Sequence, residues 1–122
     1  MPNSPKYDLE ERTANFGENI IKFAKKIQKN PISAPLITQL VKSGVKSGTS
    51  VGANYCEADD AESKDDFKHK IGICKKEARE TKHWLRMIVV TEATLKEEAR
   101  ILWQEAKELN LIFNSITNKL KK

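Results

Sequence analysis

One hydrophobic stripe constrains this chain more than any other feature. From Leu95 through Ala99, Leu102, Ala106, Leu109, Phe113 and Ile116 to Leu120, apolar residues recur in alternating steps of four and three. That spacing gathers them on one face of a helix. A mean step of ~3.5 residues, slightly short of the ~3.6 of a straight helix, predicts left-handed knobs-into-holes packing at about 20°. Such a helix needs neighbours written in the same period.

The rest of the chain supplies three. Leu9, Thr13, Phe16, Ile20, Phe23 and Ile27 predict a helix over 8–29, with Asp8 and Glu11 in capping-box positions and Asn30-Pro31 as its stop. A second helix over 33–61 starts at Ser33, tolerates Pro35 in its first turn, and carries Ile37, Val41, Gly44, Gly48, Val51, Tyr55 and Ala58. Ser63, with Asp66 in the box position, opens a third over 64–92, striped by Phe67, Ile71, Cys74, Ala78, Thr81, Leu85 and Ile88. Thr94 and Glu97 form the capping box of the fourth, over 95–120. Three short connections make neighbours antiparallel. The expectation is an all-α, up-down-up-down four-helix bundle filling 1–122 as one domain. No alternating strand pattern competes, and 5 glycines with 4 prolines leave little material for a turn-rich β fold.

Several function classes drop out. No apolar run approaches the roughly 18 residues that cross a bilayer, and the opening Met-Pro-Asn-Ser-Pro-Lys resembles no signal peptide. Two cysteines, Cys56 and Cys74, make no disulfide framework, so a reducing cytoplasm is expected. His69 and His83 lie roughly 21 Å apart along one helix and cannot share a metal within a monomer. Gly44-Val45-Lys46-Ser47-Gly48-Thr49 lacks the Gly-Lys-Ser/Thr core of a phosphate loop. If the second turn centres near Glu62, residues whose numbers add to about 124 sit level across it. Asn54 then neighbours Lys70, and Ser47 neighbours Glu77. Glu57 and Glu77 could be read as a carboxylate pair, but the Glu-x-x-His motif of bundle metal sites is absent. A structural polar network of Asn54, Glu57, Lys70 and Glu77 is the favoured reading. No cofactor, metal or catalytic constellation is expected, and hence no enzyme.

Two features remain. Gly44, Gly48 and Gly52 recur every four residues in helix two, where each costs roughly 1 kcal/mol relative to alanine. Close approach of another helix, in the same chain or a second subunit, would offset that loss. The other feature is charge. The chain carries a net +5. On helix three Lys68, Gly72, Lys75, Arg79, Lys82 and Arg86 follow one another in steps of four and three, with Lys64 and Lys76 extending the row. The row spans about 27 Å and suits a phosphate backbone better than a compact anion. A plain solvated face, paired with neighbouring acids, is the alternative. Lys22, Lys25, Lys26 and Lys29 form a second basic cluster, and Lys119, Lys121 and Lys122 a third. No base-reading motif accompanies them, so contacts should go mainly to phosphates. Trp103 and Ile112 fall off the fourth stripe and would expose apolar area for a subunit interface.

Taken together, Asp8-Leu9-Glu10-Glu11-Arg12-Thr13, Ser50-Val51-Gly52-Ala53-Asn54-Tyr55-Cys56-Glu57-Ala58, Phe67-Lys68-His69-Lys70-Ile71, Lys75-Lys76-Glu77-Ala78-Arg79-Glu80-Thr81 and Trp84-Leu85 resemble a known family. It is that of the 23S rRNA intervening-sequence proteins, similar in fold to the accessory variability determinant of diversity-generating retroelements. The resemblance implies a basic four-helix bundle, a ring of five subunits, nucleic acid and a reverse transcriptase as partners, and no enzymatic activity. Gly72 departs from the larger or small polar residue expected there. The leading expectation is a homo-oligomeric nucleic-acid-binding accessory protein. Its rival is a protein-interaction scaffold whose basic surface serves solubility.

Overall fold

The computed structural model describes residues 5–45 and 64–120, and every described element is helical. Four helices carry the architecture: α1 (Pro5–Ala24), α2 (Ser33–Leu40), α3 (Lys64–Thr91) and α4 (Lys96–Leu120). They form an antiparallel up-down-up-down bundle. No described helix is long and apolar enough to cross a membrane.

The core is the stripes. Leu9, Thr13, Phe16, Ile20, Phe23 and Ile27 are all buried on α1 and the turn after it. Ile71, Cys74, Ala78, Thr81, Leu85 and Ile88 are buried on α3, with Phe67 packed partly against them. On α4 burial runs from Leu95 to Phe113 at every predicted position, while Ile116 is half-buried. Thr13 and Thr81 fit an apolar interior because their hydroxyls donate to backbone carbonyls one turn back, at 2.7 Å to Leu9 and 2.9 Å to Glu77.

Helix ends depart from expectation. α1 begins at Pro5, three residues before Asp8, because proline is tolerated in the first helical turn, where its missing N–H is no loss. It stops at Ala24 rather than 29: Lys26 and Ile27 donate to carbonyls three residues back, tightening the last turn. α2 does start at Ser33, and Asn30 holds the turn before it, its Oδ1 accepting the N–H groups of Ile32 and Ser33 at 2.9 and 2.8 Å. Ser33 instead staples the loop, donating to the Gln28 carbonyl at 2.6 Å and accepting from the Asn30 N–H at 2.9 Å. Thr94 does not cap α4. Residues Ala93–Leu95 form a 3-10 turn, and Glu97 accepts a hydrogen bond from Arg100 at 3.3 Å instead.

The second stripe also needs correction. Ile37 and Val41 are half-buried, whereas Leu40 is wholly buried. After Leu40 the helix widens into a π-helical turn, Val41–Val45. There Gly44 is buried, and a Cβ on it would lie 2.9 Å from Ile20 Cγ2 and 3.3 Å from Thr81 Cγ2. Thr81 Oγ1 also donates to the Ser43 carbonyl at 3.0 Å. The numbers 43 and 81 add to 124, so this contact follows the level rule. Gly48 and Gly52 lie outside the described residues, as do Asn54 and Glu57 of the expected network and Cys56. Lys70 and Glu77 are half-buried on one flank of α3, and Cys74 is buried.

Candidate nucleic-acid interface

Heptad register decides where each basic side chain goes. With the buried positions of α3 and α4 written a and d, Lys68, Lys75, Lys82 and Val89 fall at e, beside the core, while Gly72, Arg79 and Arg86 fall at b, further out. The 4,3 stepping of the basic stripe therefore splits it into two rows. In an antiparallel pair the e row of one helix meets the e row of its partner, which on α4 is Lys96, Trp103, Asn110 and Thr117.

The contacts follow that register. Asn110 Nδ2 donates to the Lys75 carbonyl at 2.8 Å, and Lys75 Nζ reaches Asn114 Oδ1 at 3.4 Å. Lys82 Nζ lies 5.3 Å from the centre of the Trp103 ring, and Lys107 Nζ 5.6 Å from it. Lys75 and Lys82 are accordingly half-buried, their alkyl stems laid on α4. The stripe is thus not the uniformly outward edge the sequence suggested, because e positions border the helix interface. Lys68, Lys76, Arg79 and Arg86 are exposed, and among the described residues they form no ion pair.

The acids of α4 are sorted to its other side. Its e row contains no carboxylate, whereas its g row carries Glu98 and Glu105 and faces α1. There Arg12 grips Glu105 through two hydrogen bonds, at 2.6 and 2.8 Å, and reaches Glu108 at 2.6 Å. Lys26 pairs with Glu98 at 2.8 Å, which takes it out of the second basic cluster. Hydrogen bonding to Glu105 pushes the Arg12 pKa further up, and hydrogen bonds from Gln104 and then Arg12 hold the Glu108 carboxyl below its ordinary range. Two helix interfaces of opposite electrostatic character flank one helix.

The α3–α4 seam ends in a cleft of about 440 Å³ beside the 3-10 turn. Leu85, Val89, Ala99 and Trp103 line it, Val90 borders it at 80% exposure, and Arg86, Lys96 and Arg100 stand round it. Trp103, Lys96, Lys107 and Arg100 were missed as parts of the basic face. The signal for them is in the sequence, since register numbers pairing 75 with 110 and 82 with 103 all add to 185. Trp103 and Ile112 are half-buried against the core and not an exposed patch. The exposed large apolar residues of α4 are Ile101 and Leu111. No group of three or more potential metal ligands occurs among the described residues.

Fold and seam together define a small all-α bundle with one acid-locked interface and one cationic, carboxylate-free seam. The chain belongs to the 23S rRNA-intervening sequence protein family, whose model matches residues 6–118. Among solved structures, a protein of unknown function from the S23 ribosomal protein family of Bacteroides thetaiotaomicron is similar at 29% identity. It superposes with a TM-score of 0.79 over 93% of this chain and 97% of that one. No curated protein matches.

Proposed function

We propose that this chain is a non-enzymatic accessory protein that assembles with its own copies and binds RNA or DNA through the phosphates, along the α3–α4 seam. The observation that supports this is the set of Lys68, Lys76, Arg79 and Arg86, exposed and without acid partners among the described residues. A cation beside a carboxylate is already neutralised; these are not, and a polyanion that meets them releases its own counterions. The family's name, which ties its members to intervening sequences of 23S rRNA, points to RNA as the first polymer to try. No base-reading motif accompanies the seam, so sequence preference should be weak.

The test is the salt dependence of binding. Replacing Lys68, Lys76 and Arg79 together with glutamine should weaken binding of a labelled RNA and flatten the slope of log K against log salt by about 2, at ~0.7 per lost phosphate contact on a single strand. Equal affinity and slope in the triple variant would reject the seam as the site.

A second reading has its own observation. Ile101, 70% exposed, lies on the side of α4 away from the seam beside Glu105 and Glu108, and Leu111, 57% exposed, lies further along the same helix. Such a face suits a protein, whether another copy or a different partner such as a reverse transcriptase. On that reading the chain is a scaffold, and recovery of a protein partner would be insensitive to salt.

A further inference from the structure

We infer that the cleft at the turn end of the seam receives an unpaired base, so that the nucleic acid bound here is single-stranded. This rests on the phosphate-binding reading above and adds to it which form of polymer fits. Arg86 is the hinge of the argument, because it is both the last cation of the stripe and part of the cleft lining. A backbone tracking Lys75, Arg79 and Arg86 therefore arrives at the cleft with its phosphates already held, over about 16 Å of helix.

What it meets there is apolar. Leu85, Val89, Ala99 and the Trp103 ring line the cleft, and Val90 beside them is 80% exposed. The charges around it are all positive, Arg86, Lys96 and Arg100, apart from Glu97, which Arg100 holds in an exposed pair at 3.3 Å. An apolar, tryptophan-lined floor with a cationic rim fits a ligand that is flat and apolar in its middle and anionic at its edge. An unpaired nucleotide has that form. Single-strand binders of other folds combine an aromatic platform with a basic groove for the same reason. A duplex keeps its bases stacked inside and offers this cleft only phosphates, which gain nothing from Leu85 or Val89. The scarcity of polar lining groups also means that any base will do.

The experiment uses fluorescence anisotropy with the full chain and four labelled probes. They are a 12-mer oligouridine, a 12-mer oligodeoxythymidine, a blunt 12-base-pair duplex and a 12-mer of abasic nucleotides. Both intact strands should bind about tenfold tighter than the duplex or the abasic strand. Trp103→Leu and Val90→Glu should each weaken the intact strands at least roughly fivefold more than the duplex, so that the advantage is lost. Val90 is exposed, so the second variant keeps the fold if the first does not. A duplex or abasic strand bound as tightly as the intact strands overturns the cleft while the phosphate reading stands. Val90→Glu changing the sedimentation mass but not strand affinity also overturns it, assigning the cleft to a second copy. Failure of all four probes to bind removes the phosphate reading and the cleft with it. Separation of the uridine from the thymidine strand tells RNA from DNA.

Discussion

Two glycines show how differently one residue type can be used. At Gly44 an added methyl would sit 2.9 Å from Ile20 Cγ2, on a buried branch with no room to turn away. Gly44→Ala should therefore destabilise the bundle by roughly 1–3 kcal/mol, as overpacking does, despite the better helix propensity of alanine. Gly72 has nothing within 4 Å of the same hypothetical atom. There the propensity gain stands alone, and Gly72→Ala should stabilise by up to about 1 kcal/mol. Urea denaturation of the two variants side by side checks both signs. Leu40 offers a third comparison, since it is fully buried where Val41 is only half-buried. Leu40→Ala should cost about 2–5 kcal/mol, and Val41→Ala well under half of that.

Between helices, the α1–α4 interface depends on Arg12. Its fork to Glu105 is two-thirds shielded from solvent, the side chains being 32% and 28% exposed, so the geometry is held more firmly than in a surface pair. Arg12→Gln should lower stability at pH 7 by about 1–2 kcal/mol in urea titrations. The sign of its pH dependence follows from Glu108, whose carboxyl titrates below its ordinary range in the folded chain. A depressed carboxyl brings stability that is fully present above its unfolded-state pKa and is lost as pH falls through the lower native value. The wild type and Arg12→Gln should therefore converge in stability as the solution is acidified below the ordinary carboxylate range. A gap that stays constant through and below that range would show that the charges of the fork contribute none of it. Among the described residues no ion pair joins α3 to α4. That interface holds through its a and d side chains, Asn110 and the lysine stems over Trp103, which is why its charges remain available.

Across the whole molecule, charge is sorted by helix face. α4 turns Glu98 and Glu105 toward α1 and Lys96, Trp103 and Asn110 toward α3, so acids and the cationic seam lie on opposite flanks of one rod. Those acids are already paired with Arg12 and Lys26, so a second copy would meet this flank through its apolar residues rather than its charge. Ile101, exposed beside Glu105 and Glu108, and Leu111, further along the same helix, are the apolar part such a contact would bury. Ile101→Asp together with Leu111→Asp should reduce the sedimentation mass to that of one chain if this flank joins subunits. An unchanged mass would clear it of that role.

By itself the sequence determined the four helices and the inner faces of α1, α3 and α4. A strict 3.5-residue repeat admits only one packing partner, another such repeat, and every α1 position from Leu9 to Ile27 is buried as its spacing required. The cations of α3 were equally legible. What only the tertiary structure decided depends on contacts between segments far apart in the chain. The widened turn at Val41–Val45 forms where Gly44 meets Ile20 and Thr81, and local propensity contains neither neighbour. The 3-10 start of α4 displaced a capping box of good local sequence. The split of the basic stripe into covered and open rows came from the helix laid against it, since a helical wheel gives the angle of a side chain but not what stands opposite. Burial is a property of periodicity, whereas neutralisation is a property of pairs.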